Sequence, residues 1–138
     1  MGSVPFCKEE KMRIKNKEIR ILAEKMKEIE KKNFPVKVSF VLARNQKTIA
    51  DILQTLEGQR KKLCEKYAER DENGNIKTED NAYVIRDVQS LKKEYQELLE
   101  IETELELQKI EEADLEKCGE GKYDAISPDD AHFFQYMI

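Results

Sequence analysis

From Val38 to Tyr67 the apolar positions follow one helical face. Val38, Leu42, Asn45, Ile49, Ile52, Leu56, Gln59, Leu63 and Tyr67 are spaced mostly by four and three residues, which is heptad spacing and predicts a helix over about 36–70. At ~1.5 Å per residue such a helix would extend about 50 Å, longer than a compact domain of this size is wide. Part of it is expected to protrude or to meet another chain. A second seam of the same period, Val84, Val88, Leu91, Tyr95 and Leu98, predicts a helix over about 82–100. The turn formers of "RDENGNIKTEDN" lie between the two, with Asn73-Gly74 offering a tight reverse turn, so an antiparallel hairpin buries both seams at least cost.

The flanks have different periods. Met12 and Ile14 alternate with charges, as in a short strand, and Asn16 is placed to cap a helix whose stripe is Ile19, Leu22, Met26 and Ile29. That helix should stop near "KKNFP", at Pro35. Beyond residue 100, Thr103, Leu105 and Leu107 alternate with glutamates, which predicts a strand over about 103–109 paired with Met12–Ile14; the alternative is that these residues prolong the preceding helix. "SPDD" at 127–130 is a helix start, with serine as cap and proline in the first turn. Phe133, Phe134, Met137 and Ile138 follow, either as a plug over the ribbon and hairpin or as an exposed contact surface. The expected fold is mainly α (α+β): a long antiparallel helical hairpin with a short N-terminal helix, a small two-stranded β-ribbon and a C-terminal helical cap. One domain is expected over 12–138, after a flexible leader over 1–11.

Composition sharpens this picture in one respect. Charged and apolar residues each make up 39% of the 138, and the net charge of −4 hides an asymmetry. Residues 1–67 carry 17 basic and 9 acidic side chains, hence +8, and residues 68–138 carry 8 and 20, hence −12. The halves can pack as complementary helices, or the first can offer a basic surface to an anionic partner. No apolar run approaches the roughly 20 residues of a membrane span. Cys7, Cys64 and Cys118 are odd in number and far apart, which suits reduced thiols in a cytoplasm.

Candidate chemistry is sparse. His132 is the only histidine, no glycine-rich phosphate loop or metalloprotease motif is present, and acidic pairs such as Glu104/Glu106 or Asp129/Asp130 are expected by chance among 29 acids. The reading is therefore non-catalytic, without cofactor or metal. The basic run from Lys11 to Arg20 lacks interleaved aromatics, which together with a pI of 5.3 argues against nucleic acid. Arg44, Asn45, Lys47 and Arg60 along the long helix are the candidate contacts for a partner or a phosphate-bearing small ligand. Asn45 has two readings: a buried amide that fixes register or oligomer state, or part of a polar pocket where helices cross. Ile49, Ile52, Leu56 and Leu63 are the candidate seam of a homodimeric coiled coil.

The succession of "LARNQKTI", "KYAERDENGNI", "LKKEYQELLEIETELELQKI" and a final "ISPDD…MI", over about 12–138, resembles a family of small proteins of unassigned activity encoded by tailed phages and prophages of Gram-positive bacteria. The resemblance implies a phage accessory protein of the host-cell cytoplasm and carries over no functional residue. Its expected task is to bind and inhibit a host factor, such as a defence protein or its nucleotide signal; the alternative is a structural or assembly part in virion morphogenesis.

Overall fold

A computed structural model describes residues 9–138. Residues 1–8, which include Cys7 and most of the expected leader, lie outside the described residues. Strand β1 spans Glu9–Lys15, so residues 9–11 belong to a strand rather than to the leader. Helix α1 (Asn16–Ile29) follows at once, then α2 (Val36–Tyr67), the two-residue strands β2 (Thr78–Glu79) and β3 (Ala82–Tyr83), α3 (Val88–Glu100), β4 (Glu102–Gln108), and the short helices α4 (Glu112–Glu116) and α5 (Pro128–Phe134). The chain is mainly helical, with β1 and β4 forming a small antiparallel sheet.

The strand pairing expected from alternation is present. Met12 faces Leu105 and Ile14 faces Thr103 in the β1–β4 register. Alternation places Ile14, Leu105 and Leu107 inward and the charges outward, where Lys11 reaches both Glu104 (3.8 Å) and Glu106 (3.6 Å). A continued helix would have scattered those leucines around its circumference. Instead the chain leaves α3 at Ile101, whose backbone is extended.

Asn16 has a different task from the one its position suggested. It is the first residue of α1, buried, and its side chain does not cap that helix. Its backbone N–H goes to the Ile101 carbonyl (2.9 Å), its Nδ2 to the Leu98 carbonyl (2.8 Å), and its Oδ1 accepts from the Thr103 hydroxyl (2.5 Å). Asn16 therefore satisfies orphan carbonyls at the end of α3 and ties α3 and β4 to α1.

The helix expected over 82–100 begins only at Val88. Asp80 and Asn81 both have positive φ (49° and 66°), the geometry of a two-residue hairpin turn, and join β2 to β3. Val84 is thereby drawn out of the helical seam: its N–H bonds to Lys77 O (3.0 Å) and its carbonyl accepts from Glu69 N–H (2.7 Å). Residues 68–86 form a small β arm. Asp87 then caps α3, its carboxylate accepting from Ser90 N–H (3.0 Å).

The long seam of α2 is shared rather than paired with one helix. Val38, Leu42 and Ile49 enter a core with Ile19, Leu22 and Met26 of α1 and Leu105 and Leu107 of β4, whereas α3 packs against α2 and α1. The C-terminal residues close this core as a plug. Phe134 stacks edge-on against Phe34 (5.8 Å between centroids) and Phe133 (5.5 Å), and Met137 O accepts from Ile110 N–H (2.6 Å). Ile138 alone of the expected apolar set is exposed.

The charge asymmetry has a structural meaning. Ion pairs join the two halves with the cation from 1–67 and the anion from 68–138: Lys11 with Glu104 and Glu106, Lys15 and Lys17 with Glu100, Lys25 and Lys32 with Asp130, and Lys66 with Glu94.

Candidate functional site

The four expected contact residues do not converge. Asn45 turns into the core, 1% exposed, while Arg44, Lys47 and Arg60 are exposed along α2. Arg44 and Arg60 are separated by about 24 Å of helix, too far to grip one small phosphate. The Arg44 guanidinium lies 6.0 Å from the centre of the Phe40 ring, and Arg60 is paired with Glu57 (3.1 Å).

Asn45 is saturated by backbone. Its Nδ2 donates to Gln108 O (3.0 Å) and its Oδ1 accepts from Gln108 N–H (2.8 Å), so one amide clamps both polar groups of one peptide in β4. Of the two readings of this residue, register is the one its bonds serve, but between a helix and a strand of the same chain. The proposed dimer seam divides likewise. Ile49 and Leu56 are buried inside a single chain and Ile52 and Leu63 are half-buried, so intrachain packing takes most of the surface that the sequence assigned to a second copy.

The least covered stripe is that of α3. Its apolar stripe is well formed, yet none of its residues is fully buried: Leu91, Tyr95, Leu98 and Leu99 are half-buried and Val88 is 48% exposed. Val88 and Leu99 lie only about 20° apart around the helix, on one edge of the stripe. Polar contacts flank the stripe, with Lys66 bonded to Glu94 (2.9 Å) and the Arg20 guanidinium 5.8 Å from the Tyr95 ring centre. Beside it, Arg20, Ile21, Glu24, Leu53 and Glu57 line a groove of about 570 Å³ between α1 and α2. Sequence reading missed this face because a heptad seam says which side of a helix is apolar and not how deeply its neighbours cover it.

The buried carboxylate of Asp130 is the other polar centre. It is bonded to Lys32 and Lys25 (3.0 Å to the latter) and accepts from the Ser127 N–H (3.4 Å), while the Ser127 hydroxyl accepts from Asp130 N–H (3.2 Å), a reciprocal capping box. Burial pushes this carboxyl up, but the hydrogen bonds from Lys32, Lys25 and Ser127 outweigh it and hold the group well below the carboxylate range. Glu100, between Lys15 and Lys17, is held down to about 2 by its hydrogen bonds to those lysines. Both groups have a folded pKa below the unfolded one, so their contribution is present above about pH 4 and is lost as pH falls toward the folded values. Asp130→Asn should therefore lower stability at pH 7 by about 1–3 kcal/mol, and the gap from the parent should narrow at pH 3. Urea unfolding at the two pH values checks this.

Among the described residues no group of three or more His, Cys, Asp or Glu is placed to hold a metal, and no helix is long and apolar enough to cross a membrane. Cys64 and Cys118 are half-buried free thiols, and His132 is exposed, its Nδ1 3.0 Å from the Gln135 amide. The arrangement defines a helical scaffold with a partly wet apolar face. Compared with protein-family models, curated proteins and solved structures, the chain shows no match.

Proposed function

We propose that this chain is a non-catalytic accessory interaction protein of a phage or prophage, a long helical hairpin that binds and inhibits a protein of the host cytoplasm. The observation that carries the reading is the stripe on α3, formed by five apolar side chains of which none is fully buried. A face with an apolar centre and a polar edge, here the Lys66–Glu94 pair and Arg20, has the anatomy of a protein interface, and its cover is a partner protein with a complementary apolar patch. Phage origin rests on the resemblance of the element order described above.

The test uses a double variant on the wet edge of the stripe, Val88→Glu with Leu99→Glu. The tagged full chain should capture a host protein from lysate, and the variant should lose it by at least tenfold while keeping its helical circular dichroism. Capture of virion proteins instead would favour a morphogenesis role. A parent chain that is dimeric by mass photometry, and a variant that is monomeric, would give the face to a second copy. Capture unaffected by the variant would remove the face from consideration.

A further inference from the structure

A second site lies at the root of the β arm. Only eight basic residues occur in 68–138, against 20 acidic ones, yet three of the eight, Arg70, Lys77 and Arg86, line one cleft of about 540 Å³, with Lys66 from the end of α2 as a fourth cation. The topology of the arm gathers them. Lys77 N–H bonds to Glu69 O (2.8 Å), Arg70 pairs with Ile76 across a bridge, and Arg86 N–H bonds to Tyr67 O (2.9 Å), which lays three short segments side by side.

These cations are held but mostly not neutralised. Arg70 donates one N–H to the Gly74 carbonyl (2.9 Å) and Arg86 one to the Lys66 carbonyl (3.5 Å). Carbonyls orient a guanidinium without cancelling its charge, and each guanidinium has five N–H groups to give. The Lys77 ammonium has no hydrogen-bond or ion-pair partner among the described residues. Lys66 is ion-paired with Glu94, and the one carboxylate on the wall is Glu69, so the lining side chains, with Glu94 counted against Lys66, keep a surplus of two positive charges; Asp87, beside Arg86, lies outside the lining.

We propose that this cleft binds the phosphate chain of a small molecule carrying a di- or triphosphate, a nucleotide being one source and an inorganic oligophosphate the other. The volume lies in the range of small-ligand sites, and forked arginines with point-charge lysines suit adjacent phosphoryl groups. An extended nucleic acid is disfavoured, because Asp71, Glu72, Glu79 and Asp80 on the same arm are exposed and would repel a continuing backbone. The site is independent of the α3 stripe, and Val88 and Leu99 do not line it.

Titration calorimetry of the full chain at low salt tests this with four probes: ATP, inorganic tripolyphosphate, adenosine and a single-stranded oligodeoxynucleotide. ATP and tripolyphosphate should bind at one site, adenosine should not, and affinity should fall as salt is raised. Lys77→Gln with Arg86→Gln should weaken binding about tenfold, and Glu69→Gln should tighten it a few-fold. Equal affinity for the two oligophosphates would identify the phosphate chain as the whole determinant, and tighter ATP binding would add a contribution from the nucleoside; both support the assignment. It is overturned if tripolyphosphate does not bind, if the double variant binds as the parent does, or if the oligonucleotide binds more tightly than ATP.

Discussion

Phe134→Ala should lower the melting temperature by about 10 °C, through a loss of about 3–5 kcal/mol. Phe134 is 1% exposed and stands edge-on to both Phe34, at the turn before α2, and Phe133. Truncation deletes a ring from the contact between the last helix and the α1–α2 turn, and the space cannot close easily. Asp130 fixes α5 from one side through Lys25 and Lys32, and Met137 fixes the following turn through Ile110. The surrounding backbone is thus held while the cavity remains. Differential scanning calorimetry of the two proteins gives the answer. A shift under about 2 °C would mean that the C-terminal segment does not cover the core, and the exposed-surface reading of "AHFFQYMI" would replace the plug.

Asn45→Ala should cost about 2–4 kcal/mol, more than its small loss of volume accounts for. The substitution leaves the N–H and the carbonyl of Gln108 unpaired in a place where the residue is 4% exposed, and each orphaned group costs about 1–3 kcal/mol. Asn45→Asp is the sharper control. An aspartate can still accept from Gln108 N–H but cannot donate to its carbonyl, and it adds a charge in the core, so it should be at least as damaging as alanine. Chemical denaturation measures the free energies. Hydrogen exchange locates the loss, with the Gln108 amide expected to lose protection in both variants. If Asn45→Ala changed the oligomeric mass and left stability alone, the amide would be specifying contacts between chains instead of within one.

Much of the secondary structure was legible because it is written in local spacing. The two-residue alternation at Thr103, Leu105 and Leu107 pointed to β4 and to Met12–Ile14 as its partner, a pairing the structure makes antiparallel, and the serine, proline and acids at 127–130 identified a capped helix that the capping box at Ser127 and Asp130 realises. The start of α3 was misplaced for a local reason too. Val84 keeps heptad spacing with Val88, but the positive φ of Asp80 and Asn81 commits the chain to a hairpin that uses Val84 as a ladder residue. A short β turn competes successfully with a helical period when its backbone bonds are all taken up.

The candidate sites were far less legible. Asn45 stood out as an amide in an apolar seam, yet its partner Gln108 lies 63 residues away, and Arg44, Lys47 and Arg60 shared a helix without sharing a place. The cations that do meet, Lys66 at the end of the basic half and Arg70, Lys77 and Arg86 in the acidic half, are scattered over 21 positions and carry no motif. Nor could the heptads show that α1 and β4 take the first half of the α2 seam and leave α3 partly bare.

By itself the sequence determined which face of the long helices is apolar, where β1 and β4 alternate, and that Ser127 starts a capped helix, and it left open whether the basic half would meet the acidic one or an anionic partner. Tertiary structure alone decided what covers each face, which amides are consumed in holding strands to helices, and which charges remain free to meet a ligand. The reason is range: periodicity and capping depend on residues within a turn or two of each other, whereas coverage and charge balance depend on segments brought together from across the chain.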